Sequence, residues 1–154
     1  MTRSIITSVN AGVATLTLSQ PEIRNAFSDV VIAEITAAFA EVGQRDDVRA
    51  VVLAAEGPAF CAGANLNWMR AMADYTREEN LADAGKLAAM LHTIATCPHP
   101  TIARVQGDVY AGGMGLVAAC DMAVAVQEAH FCLSEVKIGL IPATIAPYVL
   151  RAMG

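Results

Sequence analysis

Two glycine-rich segments are the places in this chain where the backbone itself could do chemistry. Phe60-Cys61-Ala62-Gly63-Ala64-Asn65-Leu66 and Gln106-Gly107-Asp108-Val109-Tyr110-Ala111-Gly112-Gly113-Met114-Gly115-Leu116 each follow a strand-like run, and the second opens a helix. Small residues let the main chain approach a ligand closely, and Gly63 can take backbone angles closed to other residues. Two such turns can aim N–H groups at one point, which is what stabilising a developing oxyanion requires. A helix N-terminus adds its partial positive charge to the second turn. On spacing alone, close packing of a helix on a sheet accounts for the same glycines equally well.

Other site chemistries find little support. Gly112 to Gly115 does not spell G-x-G-x-x-G and has no acidic residue downstream at ribose spacing; no G-x-x-x-x-G-K-[ST] occurs either. His92, His99 and His130 lack metal-ligand spacing, so no metal site is expected. Ser134 has no G-x-S-x-G elbow around it. Cys61, Cys97, Cys120 and Cys132 show no C-x-x-C pattern and read as reduced, small core hydrophobes. Trp68, Met69 and Met72 sit at near-helical spacing just after the first glycine turn. They suit the wall of an apolar pocket or ordinary core packing. Asp108 and Tyr110 flank the second turn as possible polar pocket groups.

The elements that must hold these turns alternate between strand and helix. Ser4–Val9 and Val13–Ser19 read as strands around an Asn10-Ala11-Gly12 turn. Ser28 suits a helix N-cap, with Val31, Ile35, Ala38, Phe39 and Val42 recurring at helical spacing until Gly43. Ala50–Ala55 is a short, uniformly apolar run that suits a strand buried on both faces. Glu56 to Asn65 reads as a loop. Arg77 to Ala95 is helical, with Leu81, Ala84, Leu87, Ala88, Leu91 and Ile94 on one face, and Pro98 and Pro100 follow it. Thr101–Gln106 reads as a strand, a small-residue helix runs on to Ala119, and Ala123–Val126 reads as a buried strand. A last helix is expected over Ile145–Met153. This alternation predicts an α/β class with crossover connections.

At 154 residues the chain suits a single domain over 1–154, and 55% hydrophobic residues imply extensive burial. A net charge of −5 with no Lys/Arg cluster argues against a nucleic-acid partner. No apolar run reaches membrane-span length, because Gly112, Gly113, Gly115 and Asp121 interrupt the longest candidate, Val109–Val126. The start at Met1-Thr2-Arg3-Ser4 does not resemble a signal peptide, so a cytoplasmic location without membrane contact is the default expectation.

The order of the motifs resembles the crotonase (enoyl-CoA hydratase/isomerase) family over nearly the whole chain. Pro21-Glu22-Ile23-Arg24-Asn25-Ala26 is similar to the family's R-P-x-x-x-N-A segment. Phe60–Leu66 is similar to F-x-A-G-A-D-L, with Asn65 where Asp is usual. Pro100–Gly107 followed by Gly112-Gly113, then Asp121, resembles P-x-I-A-x-V-x-G…G-G-G…C-D. Phe131–Pro142 resembles F-x-x-x-E-x-x-x-G-x-x-P. Within the family, Asn65–Met69, Glu79–Ala84 and Leu133–Tyr148 are most similar to the bacterial methylglutaconyl-CoA hydratase branch and to the related hydratases of acyclic-terpene degradation.

The resemblance implies a spiral of ββα units that binds an acyl-CoA thioester, with coenzyme A as part of the substrate and no separate cofactor. It places the oxyanion hole at the N–H groups of Ala62 and Gly112. Acyl-CoA contacts would come from Arg24, Ala26, Ala62, Gly63, Ala64, Asn65, Leu66, Gly112 and Gly113. Hydratases of the family use two glutamates; here Glu135 matches one, and Gly115 stands where the other belongs. Glycine cannot transfer a proton, so Glu135 is the expected acid/base. Isomerisation by that single glutamate stays open, as does a non-catalytic acyl-CoA-binding or partner-binding remnant. Gly115 is expected to leave room for a second substrate carboxylate or an ordered water. Family members run longer, so a helical carboxy-terminal part that covers the site and builds a trimer or dimer of trimers is expected beyond Gly154.

Overall fold

A computed structural model describes residues 4–154. The remainder of the start, Met1-Thr2-Arg3, on which the signal-peptide reading partly rests, lies outside the described residues. The fold begins with a hairpin, β1 (Ile5–Asn10) and β2 (Val13–Leu18), paired in antiparallel register from Ile5↔Leu18 to Asn10↔Val13. Its two-residue turn needs positive φ at both positions, which Ala11 at 49° and Gly12 at 81° supply.

From there the chain repeats one theme without repeating its sequence. β3 (Ala50–Ala55), β5 (Thr101–Val105) and β7 (Met122–Ala125) extend the hairpin in parallel, giving the sheet order β1-β2-β3-β5-β7. The strand after each of these turns away into a second, smaller parallel sheet: β4 (Ala59–Cys61), β6 (Asp108–Tyr110) and β8 (Phe131–Cys132). Helices close the units: α1 (Asp29–Gly43), α2 (Leu66–Met72), α3 (Arg77–Ala95), α4 (Gly112–Ala119) and α5 (Ala146–Met153). This is the α/β arrangement of ββα units expected from the sequence.

Apolar periodicity explains how α1 packs. Val31, Ile32, Ile35, Ala38, Phe39 and Val42 are all buried along one face, where each large side chain contributes roughly 1.5–3 kcal/mol by leaving water. Ser28 stands at the N-cap, but its hydroxyl makes no capping bond.

Helix α3 differs from expectation in its face. Its buried residues are Asp83, Met90, Leu91 and Ile94, whereas Leu81 is 67% exposed and Ala84 and Ala88 also face solvent. Only the C-terminal half of the helix has its apolar face covered. Its start is fixed instead by a capping box. The Glu79 N–H donates to Thr76 Oγ1 at 3.2 Å, and the Thr76 N–H donates to Glu79 Oε2 at 2.8 Å. A Thr76→Ala variant is therefore expected to lose about 1 kcal/mol, read as a lower urea midpoint at unchanged m-value.

Strand β7 corrects a second expectation. It pairs with β5 alone and is exposed along its whole length, with Val124 at 65%. It is an edge strand; no second strand and no helix among the described residues covers its side chains.

Candidate active site

The small sheet carries the site, because a different functional loop leaves the end of each of its three parallel strands. After β4 comes Ala62 to Leu66, after β6 comes Ala111 and α4, and after β8 comes Leu133 to Glu135. All three loops border one cavity of about 390 Å³, whose wall includes Ala62, Ala64, Gly112, Glu135, Trp68 and Ile145.

The first loop is held from behind by Asn25, a side chain only 3% exposed. Its Oδ1 accepts from the Gln20 N–H at 2.9 Å, and its Nδ2 donates to Glu56 O at 2.9 Å and Ala59 O at 3.0 Å. Segment 21–27 is thereby laid against β4. Two backbone bonds extend that contact: the Phe27 N–H donates to Gly63 O and the Asn65 N–H donates to Phe27 O, each at 2.9 Å. This parallel bridge between Phe27 and Ala64 turns the Ala64 N–H away from Phe27.

That geometry decides which amides are free. The Ala62 N–H donates to Arg24 O at 2.9 Å, so the donor expected at Ala62 is already committed. Among the described residues the Ala64 N–H meets no acceptor, nor does the Gly112 N–H. Gly112 is the first residue of α4, where an N–H has no intrahelical partner. Ala111 directs it, holding φ 46° and ψ −122°, a conformation that costs a non-glycine residue about 1–3 kcal/mol. Gly63 lets the two loops meet: a Cβ there would lie 2.9 Å from Ala111 Cβ and 3.2 Å from the Gly112 nitrogen.

Glu135 opens a short 3-10 turn, Glu135–Ile138, and is half-buried. Its Oε2 is buried with no hydrogen-bond partner among the described residues, so one carboxylate oxygen is uncommitted at the cavity wall. Trp68 Nε1 is in the same condition on the opposite side of the polarity, as a donor. Lys137 also borders the cavity and makes no ion pair among the described residues.

The remaining expected site residues fall into other places. Leu66 reaches the cavity. Gly63 and Gly113 are buried behind it; a Cβ on Gly113 would meet Cys61 O at 2.8 Å. Arg24, Ala26 and Asn65 do not line it. Asn65 instead caps α2, accepting from the Asn67 and Trp68 N–H groups. Asp108 and Tyr110 are also elsewhere. Asp108 accepts from the His130 N–H at 3.0 Å and lies 3.0 Å from His130 Nδ1, and these bonds hold its carboxyl below the usual range.

Gly115 corrects the expectation built on it. It is buried and faces the Ile145 side chain, not open space: a Cβ there would lie 2.4 Å from Ile145 Cγ2 and 3.3 Å from Leu91 Cδ2. There is no room at this position for a substrate carboxylate or a water. Cys61 and Cys120 are buried, and burial pushes each thiol up to about 12, leaving both protonated and unreactive at neutral pH. Cys97 and Cys132 are only partly buried. Among the described residues no three His, Cys, Asp or Glu side chains converge as metal ligands, and no helix is long and apolar enough to cross a membrane.

Two unpartnered amides and a carboxylate around one apolar cavity suit a reaction that builds negative charge on a carbonyl oxygen. A sequence profile of the enoyl-CoA hydratase/isomerase family matches residues 8–154. The chain belongs to that family. It is similar to the enoyl-CoA hydratase AKT6-1 of Alternaria alternata, 36% identical over 148 residues, covering 94% of this chain and 46% of the relative. An enoyl-CoA hydratase from Shewanella pealeana has the same fold with a TM-score of 0.96 at 43% identity, covering 99% of this chain and 57% of the other. A Mycobacterium smegmatis enoyl-CoA hydratase superposes with a TM-score of 0.91 at 38% identity, covering 97% and 58%. The chain thus spans about half the length of the relatives it matches.

Lys137, Leu87 and Ile145 were not among the expected site residues. Lys137 lies two positions after Glu135 inside the family-like segment, which was a usable signal. Leu87 and Ile145 had none beyond their apolar character.

Proposed function

We propose that this chain binds an acyl-CoA thioester and takes part in hydration of a 2-enoyl-CoA through an enolate. In this reading the Ala64 and Gly112 N–H groups hold the thioester oxygen as its charge rises, and Glu135 moves the proton. Coenzyme A arrives as part of the substrate and no other cofactor takes part. The observation that carries the reading is the convergence of two acceptor-free amides and an uncommitted carboxylate oxygen on one cavity.

Double-bond isomerisation is the second reading, and one observation favours it: among the described residues Glu135 is the only carboxylate in the cavity wall. A single carboxylate can carry a proton along an enolate, whereas adding water asks one group to orient the water and protonate carbon. Incubation with a 2-enoyl-CoA and separately with a 3-enoyl-CoA distinguishes the two. Hydration consumes the conjugated thioester absorbance, and isomerisation creates it from the 3-enoyl substrate. Binding without either change would make the chain a non-catalytic acyl-CoA module.

The finer substrate reading is 3-methylglutaconyl-CoA or a related carboxylated enoyl-CoA. Its support is the resemblance of three segments together with Lys137, a cation at the cavity wall that suits a second carboxylate. The Lys137→Met variant is then expected to lose about tenfold in kcat/KM on 3-methylglutaconyl-CoA and little on crotonyl-CoA. Equal losses on both would remove the carboxylate from the proposal. Association into a homo-oligomer is proposed from the exposed apolar side chains of β7 and α5, Met122, Val124, Leu150 and Met153, and sedimentation velocity tests it.

A further inference from the structure

Phe27 meets the surroundings of both acceptor-free amides. It is 1% exposed, yet it borders the cavity. Its main chain is paired with the first loop: the Phe27 N–H donates to Gly63 O, and its carbonyl accepts from the Asn65 N–H, each at 2.9 Å. Those two bonds bracket Ala64. The far end of the side chain reaches the second loop. A Cβ on Gly112 would lie 2.5 Å from Phe27 Cζ, 3.2 Å from Cε1 and 3.5 Å from Cε2, so the tip of the ring is seated on Gly112. Gly112 opens α4 with φ outside the left-handed region. Its backbone conformation is therefore open to any residue, and the ring is what requires glycine here.

We propose that Phe27 is a positioning residue that fixes the separation between the two oxyanion donors. The inference rests on the acyl-CoA reading above and adds the residue that holds its Ala64 and Gly112 amides in one arrangement. Hydrogen bonds fix the Phe27 backbone against the Ala64 loop, and a rigid ring carries that position across to the first turn of α4. A donor is effective only within about 2.7–3.1 Å of the place where charge develops. A small displacement of Gly112 is thus felt in the transition state more than in the ground state. Phe27 has no group that could take or give a proton, so it acts through these amides alone. A shorter side chain leaves slack beside Gly112, and tyrosine, extended from Cζ, drives Gly112 away.

The test compares turnover of a 2-enoyl-CoA with affinity for a saturated acyl-CoA, in variants that keep a native circular dichroism spectrum. Phe27→Leu and Phe27→Tyr are each expected to lose about 10- to 100-fold in kcat, since a misplacement of about 1 Å can cost 10²-fold. Affinity for the saturated acyl-CoA should stay close to that of the unchanged chain. A bound 2,4-dienoyl-CoA gives a second readout that needs no turnover. Its absorbance moves to longer wavelength as the amides draw charge onto the thioester oxygen, and both variants should shrink that movement. Phe27→Met keeps the core filled and reads the effect if the leucine variant does not fold. In the double variant Phe27→Leu with Gly112→Ala, the added methyl occupies the place of the missing ring atoms, so kcat should exceed that of Gly112→Ala alone. Native kcat with a native absorbance shift in a folded Phe27 variant overturns the inference and leaves the acyl-CoA reading standing. So does a fall of kcat and affinity by the same factor, or a folded double variant no faster than Gly112→Ala. Failure of the unchanged chain to bind any acyl-CoA overturns both.

Discussion

The Glu135→Gln variant is expected to lose between about 10²- and 10⁴-fold in kcat, the range for removal of a positioned acid/base, with little change in the binding of a saturated acyl-CoA. Glutamine keeps the shape of the side chain and its ability to hydrogen-bond, but it cannot take up or deliver a proton. The expected loss falls at the high end because, among the described residues, the wall holds no second carboxylate. Lys137 is the other titratable side chain there, and Gly115 supplies none. The check is steady-state turnover of a 2-enoyl-CoA with circular dichroism as a control for folding. A loss below tenfold with native folding would mean that Glu135 is a bystander at the cavity wall. The amides of Ala64 and Gly112 would then be the whole of the catalytic apparatus.

Restoring the missing second carboxylate is expected to damage the protein before it helps the chemistry. In a Gly115→Glu variant the first side-chain carbon already collides with Ile145 and approaches Leu91. Overpacking of this kind costs about 1–3 kcal/mol, and an unpaired carboxylate brought into the core adds several kcal/mol more. For a chain of this size each kcal/mol lowers the melting temperature by about 2–4 °C, so a fall on the order of 10 °C or complete loss of folding is expected. Pairing Gly115→Glu with Ile145→Val relieves part of the collision and is expected to recover at most the overpacking share, about 1–3 kcal/mol, leaving the cost of the buried carboxylate in place. A stable single variant with native melting would show that Ile145 moves aside freely, which contradicts the packing described.

Much of the scaffold was legible because its long elements carry strong patterns. β3 was readable at Ala50–Ala55 from its unbroken apolar run, and α1 ends at Gly43 where its periodicity stops. The small sheet was not legible. Its strands have three, three and two residues, too few for any period to show, and they lie inside stretches that read as loop or turn. Leu81 misled because helical periodicity records which face is apolar and not how far along the helix a neighbour extends. β7 misled for a related reason: an apolar run says that a strand can be buried, and only the sheet order shows that it lies at an edge.

The site was legible as a place and less so as a set of atoms. Both glycine turns and Glu135 meet at one cavity, as the motifs led one to expect. The choice between Ala62 and Ala64 was beyond the sequence, since the residues are identical and two positions apart on the same small-residue loop. What separates them is the bridge to Phe27, a pairing between segments far apart in the chain. Gly115 was legible as a departure and misread as a vacancy, because the residue that fills it, Ile145, lies thirty positions further on.

The three functional loops leave adjacent strands of one parallel ladder, so their separations are those between neighbouring strands, about 4.8 Å and its double. The dimensions of the site are thus written in backbone pairing, and many side-chain exchanges leave them untouched. Gain or loss of a residue is another matter. In strands of two or three residues, a one-position slip swings everything beyond it to the opposite side, turning an inward amide outward. A lineage carrying this fold can therefore drift widely by substitution, while the lengths of β4, β6 and β8 and of the loops at their ends are locked.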